Sequence, residues 1–266
     1  QAFPQCEILI AESTYGDRLH TSNSMSQEQL FDVIHQTCVV NKGKLIIPAF
    51  SLGRTQELVY ALDKMETNGR LPRIPVFVDS PLSTSATNVM REHSECFNKD
   101  ILEYMERDAD PFGFEKLSYV RDVEDSKAIN RLKGACIIIS ASGMLEAGRI
   151  KHHVANNISD PKSTILMVGY AERHSLGGKL RNGAKEVRIF GVDHLVNARV
   201  VVLDSYSAHG DYEEMLQYLS CQDKEELKRV FLVHGDYETQ LNYKTRLLSE
   251  GYGRVTIPAM EDEIDL

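Results

Sequence analysis

Nine short apolar runs recur along the chain: EILIA, KLIIPAF, IPVFVDS, ACIIISAS, STILMVGY, EVRIFG, RVVVLDS, RVFLVHG and RVTIPA. Many are apolar at every position rather than every second one, the pattern of strands buried on both faces. Helical patterns lie between many of them, including SMSQEQLFDVIHQTCVVN, TQELVYALDKMETNG, PLSTSATNVMREH and RIKHHVANNIS. Such alternation predicts an α/β fold, a parallel-rich sheet flanked by helices on both faces. The stretch from Glu92 to Lys133 is more polar and predicted to be helical, with no chemistry of its own. The 266 residues are enough for one large α/β domain or two ordinary ones.

No run approaches the roughly 18 apolar residues of a membrane span, and no signal-peptide pattern opens the chain. The opening QAFPQCEILIAES has no Met and enters a strand within a few residues, which reads as a boundary inside a larger protein. The five cysteines (Cys6, Cys38, Cys96, Cys136, Cys221) form no C-x-x-C pair, so no cysteine zinc knuckle is expected. Cys38, Cys136 and Cys221 lie in or beside apolar segments as free thiols, which suits a reducing, cytoplasmic setting.

A net charge of −9 argues at first against a nucleic-acid partner. The charge is uneven, however. From Arg149 to Arg188 eight Lys and Arg face only three acids. Salt limits the reach of distant charge to about 10 Å, so a local basic face can hold phosphate within an acidic protein.

Ligands of an open sheet collect at the carboxyl ends of its strands. Those ends carry Glu12, Asp79, Asp204 with His209, and His234. Two of them repeat one motif, SAHGDYEEML and LVHGDYETQL. In each copy a glycine (Gly210, Gly235) permits a turn, and an aspartate (Asp211, Asp236) is placed to cap the next helix. The motif is expected to present an imidazole where a strand gives way to a helix. Two imidazoles and a carboxylate can be metal ligands or acid/base groups beside a metal. The other histidines form no H-x-H or H-x-x-x-H cluster, so the chain offers part of a metal site rather than a whole one.

The stretches ESTYGDR, IIPAFSLGRTQELVYAL, VFVDSPLSTSAT, ISASGMLEAGRIKHH, SYSAHGDY and FLVHGDYE, in this order, resemble the β-CASP family of metallo-β-lactamase-fold RNA-processing nucleases. The resemblance covers almost the whole chain. It implies that residues 1–16 hold the final strand of an N-terminal metallo-β-lactamase part, 17–205 the β-CASP domain, and 206–266 the C-terminal metallo-β-lactamase part. It further implies that Glu12 pairs with His209, that His209 transfers protons, and that His234 binds zinc. A histidine at the last position favours RNA over DNA. The family's H-x-H-x-D-H signature is absent from this segment and is expected upstream, where it would complete a two-zinc site.

Substrate grip is then expected from the inserted domain. SLGRTQE places Gly53, Arg54 and Thr55 at a helix N-terminus, which suits an anion. SASGMLEAGRIKHH places Ser142, Gly143 and Arg149 near a phosphate, with His152 and His153 a turn further on. Tyr15 and Tyr206 are expected to pack beneath the site. The expected partner is single-stranded RNA, no membrane is involved, and a homodimer stays open. The fragment alone is expected to be inactive. Two other readings compete: a non-catalytic β-CASP scaffold or RNA-binding subunit, and a small-molecule metallohydrolase. Retention of Glu12, His209 and His234 together argues against the first, and the basic insertion against the second.

Overall fold

A computed structural model describes residues 2–20 and 23–264. The first elements are β1 (Ile8–Glu12), α1 (Asn23–Ile34), β2 (Lys44–Pro48), α2 (Arg54–Thr67), β3 (Val76–Val78), α3 (Pro81–Glu92) and α4 (Lys99–Met105). Next come β4 (Leu117–Tyr119), α5 (Val123–Arg131), β5 (Cys136–Ser140), α6 (Ile150–Asn157), β6 (Thr164–Met167) and α7 (Leu176–Arg181). The chain ends with β7 (Glu186–Ile189), β8 (Val192–Leu195), β9 (Arg199–Val202), α8 (Tyr212–Leu219), β10 (Arg229–Val233), α9 (Tyr237–Ser249) and β11 (Val255–Thr256). Among the described residues, no helix is long and apolar enough to cross a membrane.

The chain divides into two compact units, one of residues 1–20 with 208–266 and the other of 21–207. The larger unit is built on a six-stranded sheet in the order β4-β3-β5-β2-β6-β9. All five pairings are parallel. Its centre is apolar on both faces because β2 alternates. Leu45 and Ile47 join one buried cluster with Leu58, Leu62, Val78 and Ile139. Ile46 points the other way, into a cluster with Ile150, Val154, Ile165 and Met167. Each such side chain contributes about 1.5–3 kcal/mol on burial, which makes the continuous apolar runs the source of this sheet.

Local signals set several helix ends. Ser80 caps α3, accepting from Ser83 N, and Pro81 occupies the first helical position. Gly69, at φ +67, ends α2. Two expectations need correction. The Glu92–Lys133 stretch holds the edge strand β4 besides its helices, because three residues pairing with β3 are too few to leave a periodic signature. EVRIFG does not join the large sheet. It forms the antiparallel hairpin β7–β8, turned by Phe190 and Gly191, both at positive φ.

The smaller unit has a three-stranded parallel sheet, β1-β10-β11. Leu219 from α8 and Tyr243 and Leu247 from α9 bury against Val230 and Leu232 of β10.

Candidate active site

Parallel register aligns Glu12, the last residue of β1, with Val233, the last of β10. His234 therefore leaves its strand beside Glu12. Ser13 extends the pairing: its N donates to His234 O at 3.2 Å and its Oγ to Val233 O at 2.8 Å. His234 adopts φ +53, which turns the chain at the strand end. Gly235 follows at a close approach, where a Cβ would lie 2.9 Å from Ser13 O.

His209 arrives by another route. Its turn is fixed by Asp211, which caps α8 in a reciprocal capping box with Glu214. His20 holds the same turn, its N donating to Asp211 Oδ2 at 2.9 Å and its ring Nε2 lying 2.7 Å from His209 O. The strand before the first HGDYE copy is β9 of the six-stranded sheet, and a 3₁₀ turn at Asp204–Tyr206 intervenes. The two copies thus follow strands of different sheets, β9 and β10. Their aspartates also act differently, since Asp236 stands at the cap of α9 without a side-chain cap bond.

The three groups meet. His209 Nδ1 lies 2.7 Å from Glu12 Oε2, and the rings of His209 and His234 are 4.9 Å apart at 34°. One donor atom from each of Glu12, His209 and His234 lies within 4.8 Å of the others. Glu12 and His209 are about one-third exposed, at 34% and 32%, and His234 stands open to solvent. Tyr15, 1% exposed, packs edge-on against His20 beneath them. Tyr206 is buried in the core of the other unit.

Among the described residues, the donor chemistry fits a zinc ligand at His234, but Glu12, His209 and His234 are not spaced as ligands of one ion. Two ligands of one tetrahedral zinc at ~2.1 Å stand about 3.4 Å apart, closer than the cluster's 4.8 Å span. Glu12 Oε2 is already engaged by His209, which makes these two a hydrogen-bonded pair. Thr14, which sequence reasoning passed over, donates to the same oxygen at 2.6 Å and lies 2.9 Å from His234 Nδ1. No periodic signal marked it, because Thr14 lies in the turn that follows β1, past the last strand residue Glu12.

Most of the residues expected to grip substrate are engaged by contacts within the chain. Arg54 N and Thr55 N donate back to Leu52 O and Phe50 O, so these amides are not offered to an anion. The Thr55 side chain is fully buried and bonds Phe50 O at 2.7 Å. Arg54 pairs with Glu57, its side chain 10% exposed, and its guanidinium lies over Tyr206. Gly53 serves the turn through its φ of +82. Ser142 closes its own loop onto Ala147, and Gly143 is buried against the Phe50 ring.

Arg149 and His153 share one partner, the buried carboxylate of Asp79. Arg149 Nη1 donates to Asp79 Oδ1 at 2.7 Å and Nη2 to Arg121 O at 2.6 Å. His153 is wholly buried, with Nε2 at 2.6 Å from Asp79 Oδ2 and Nδ1 at 2.9 Å from Asn130 Oδ1. Burial alone would raise the Asp79 pKa, but hydrogen bonds from His153, Ser126 and Arg149 hold it below the usual value. Asp79 is the hub of a buried ionic network. His152 alone of this helix pair is exposed. Its ring stacks on Phe190 at 4.5 Å and 28°, and Lys151 Nζ lies 5.3 Å from the Phe190 centroid.

Known proteins share this arrangement of segments. Residues 55–180 match the Beta-Casp domain, and residues 193–258 match the Zn-dependent metallo-hydrolase RNA specificity domain. The chain thus carries a Beta-Casp domain followed by an RNA specificity domain, which supports the resemblance to the β-CASP family of metallo-β-lactamase-fold proteins. Among its relatives, Ribonuclease TTHA0252 of Thermus thermophilus is 33% identical over 217 residues, covering 81% of this chain and 49% of that protein. An RNase J-like protein of Methanocaldococcus jannaschii is 32% identical over 224 residues, 84% of this chain and 51% of its own. Transcription termination factor FttA of Methanococcus maripaludis is 32% identical over 225 residues, 82% of this chain and 35% of its own. The chain thus spans about half the length of the first two relatives.

Proposed function

We propose that the whole protein hydrolyses phosphodiester bonds of single-stranded RNA with two zinc ions, and that this chain supplies the β-CASP domain and part of the active site. The observation that carries the reading is the meeting of Glu12, His209 and His234 at one strand end. Zinc, when bound, lowers the pKa of a coordinated water and holds the scissile phosphate. His234 would be one ligand, with the remaining ligands supplied by residues outside this chain. The Glu12 carboxylate accepts from His209 Nδ1, which assigns the lone pair of that ring to Nε2. In its protonated form the same ring hands a proton from Nε2 to the leaving oxygen.

RNA as the substrate class is supported by the RNA specificity domain match and by relatives named as ribonucleases. The exposed His152–Phe190 stack beside Lys151 offers an aromatic face and a cation to a base and its phosphate. The free cysteines suit a cytoplasmic protein. A cleavage assay on the full-length protein, with zinc measured by elemental analysis, tests the proposal. Zinc-dependent cleavage of a single-stranded RNA supports it. A folded, zinc-loaded protein that binds RNA without cutting it would instead favour the scaffold reading.

A further inference from the structure

Thr14 is 4% exposed, and its hydroxyl lies between the two halves of the site. Oγ1 is 2.6 Å from Glu12 Oε2, 2.9 Å from His234 Nδ1 and 3.0 Å from His234 O. A threonine hydroxyl has one proton to give and lone pairs to receive with. An ionised carboxylate only accepts, so the short contact to Glu12 takes that proton. Toward Nδ1 the hydroxyl must then accept. Nδ1 therefore carries the hydrogen, and the ring lone pair sits on Nε2, the atom available to a metal.

The same contacts tie the two histidines together. His234 Nδ1–H donates to Thr14 Oγ1, Thr14 Oγ1–H donates to Glu12 Oε2, and His209 Nδ1–H donates to that same oxygen. The backbone of His234, at a left-handed φ of +53, is held by Ser13, whose N donates to the His234 carbonyl at 3.2 Å. Thr14 is β-branched and has few rotamers, so the hydroxyl is pre-set.

We infer that Thr14 is a positioning residue: it fixes His234 as the Nδ1–H tautomer, presents Nε2 as the ligand atom, and couples that orientation to the carboxylate that orients His209. The inference rests on the zinc-ligand reading of His234. Long-range ¹H–¹⁵N spectra of the metal-free whole protein read the tautomer directly, and zinc titration reads its consequence. In the wild type, His234 is expected as Nδ1–H. Thr14→Val should lose that preference and weaken zinc binding by about 10–100-fold, while Thr14→Ser restores both and melts like the wild type. An Nε2–H tautomer in the wild type would overturn the inference, even if Thr14→Val fails to fold. So would a folded Thr14→Val with unchanged tautomer and zinc affinity. Absence of RNA cleavage by the wild type rejects the nuclease reading alone, since the tautomer is read without turnover.

Discussion

Glu12 and His209 belong to opposite ends of the chain yet share a 2.7 Å hydrogen bond, both side chains about one-third exposed. A pair so open contributes little to stability, since exposed ion pairs are worth about 0–1 kcal/mol. Its expected value is in orientation. Glu12→Gln keeps the size of the side chain but removes the anion that fixes the His209 ring. In the full-length protein kcat for RNA cleavage is expected to fall by at least about 10², with KM and melting temperature close to the wild type. Steady-state kinetics with a thermal melt check this, and a fall confined to KM would refute it.

Asp79 is expected to dominate stability in the larger unit. It is fully buried and shared by Arg149, His153 and Ser126. Asp79→Asn leaves the Arg149 charge without its buried partner, and the loss is expected at about 3–5 kcal/mol near neutrality. The Asp79 pKa is lowered in the fold. Its contribution is therefore complete above the unfolded carboxyl value of about 3.9 and is lost as pH falls through the lower folded value. Urea melts from pH 2 to 7 are expected to show a steep acid limb in the wild type and a shallower one in Asp79→Asn.

Asp63 is expected to behave in the opposite sense. Burial pushes its pKa up to about 7, against the pull of the Tyr104 hydroxyl, which donates to it at 2.6 Å. Its Oδ1 is buried without a hydrogen-bond partner. Because the folded pKa exceeds the unfolded one, the contribution is full below about pH 4 and lost as pH rises through about 7. Asp63→Asn removes the ionisation. Relative to the wild type, the variant is expected to gain stability by on the order of 2–4 kcal/mol between pH 4 and 8. A constant difference across that range would contradict the assignment.

The hairpin turn provides a test of RNA contact. Phe190 is 55% exposed and rests on the His152 ring. Phe190→Ala is expected to weaken binding of a single-stranded oligonucleotide by about 1–3 kcal/mol, with the salt slope unchanged because no charge is lost. Fluorescence titration at several salt concentrations measures both. Unchanged affinity with a shift in sedimentation would instead assign the patch to a homodimer.

The parts of the molecule that were legible in the sequence are those where one chemical signal has one structural outcome. Continuous apolar runs such as KLIIP and CIIIS have no stable place except a covered parallel sheet. Glu12 and His234 follow from strand ends in register. The substrate set was less legible because the same residue types serve both surface and interior. Successive helical residues differ by about 100°, so of the neighbours His152 and His153 one faces solvent and the other the core. Nothing in the local sequence says which. Arg149 read as a free cation because its partner, Asp79, is seventy positions away. Thr14 was not legible, because it lies in the turn beyond β1 and its partner His234 is 220 positions away.

The most direct test of the account is single-turnover RNA cleavage by full-length His209→Ala, with zinc content measured on the same preparation. The account expects zinc to stay near the wild-type amount while the cleavage rate falls by about 10²–10⁴. Cleavage at the wild-type rate would contradict the role assigned to His209 and to the carboxylate that holds it.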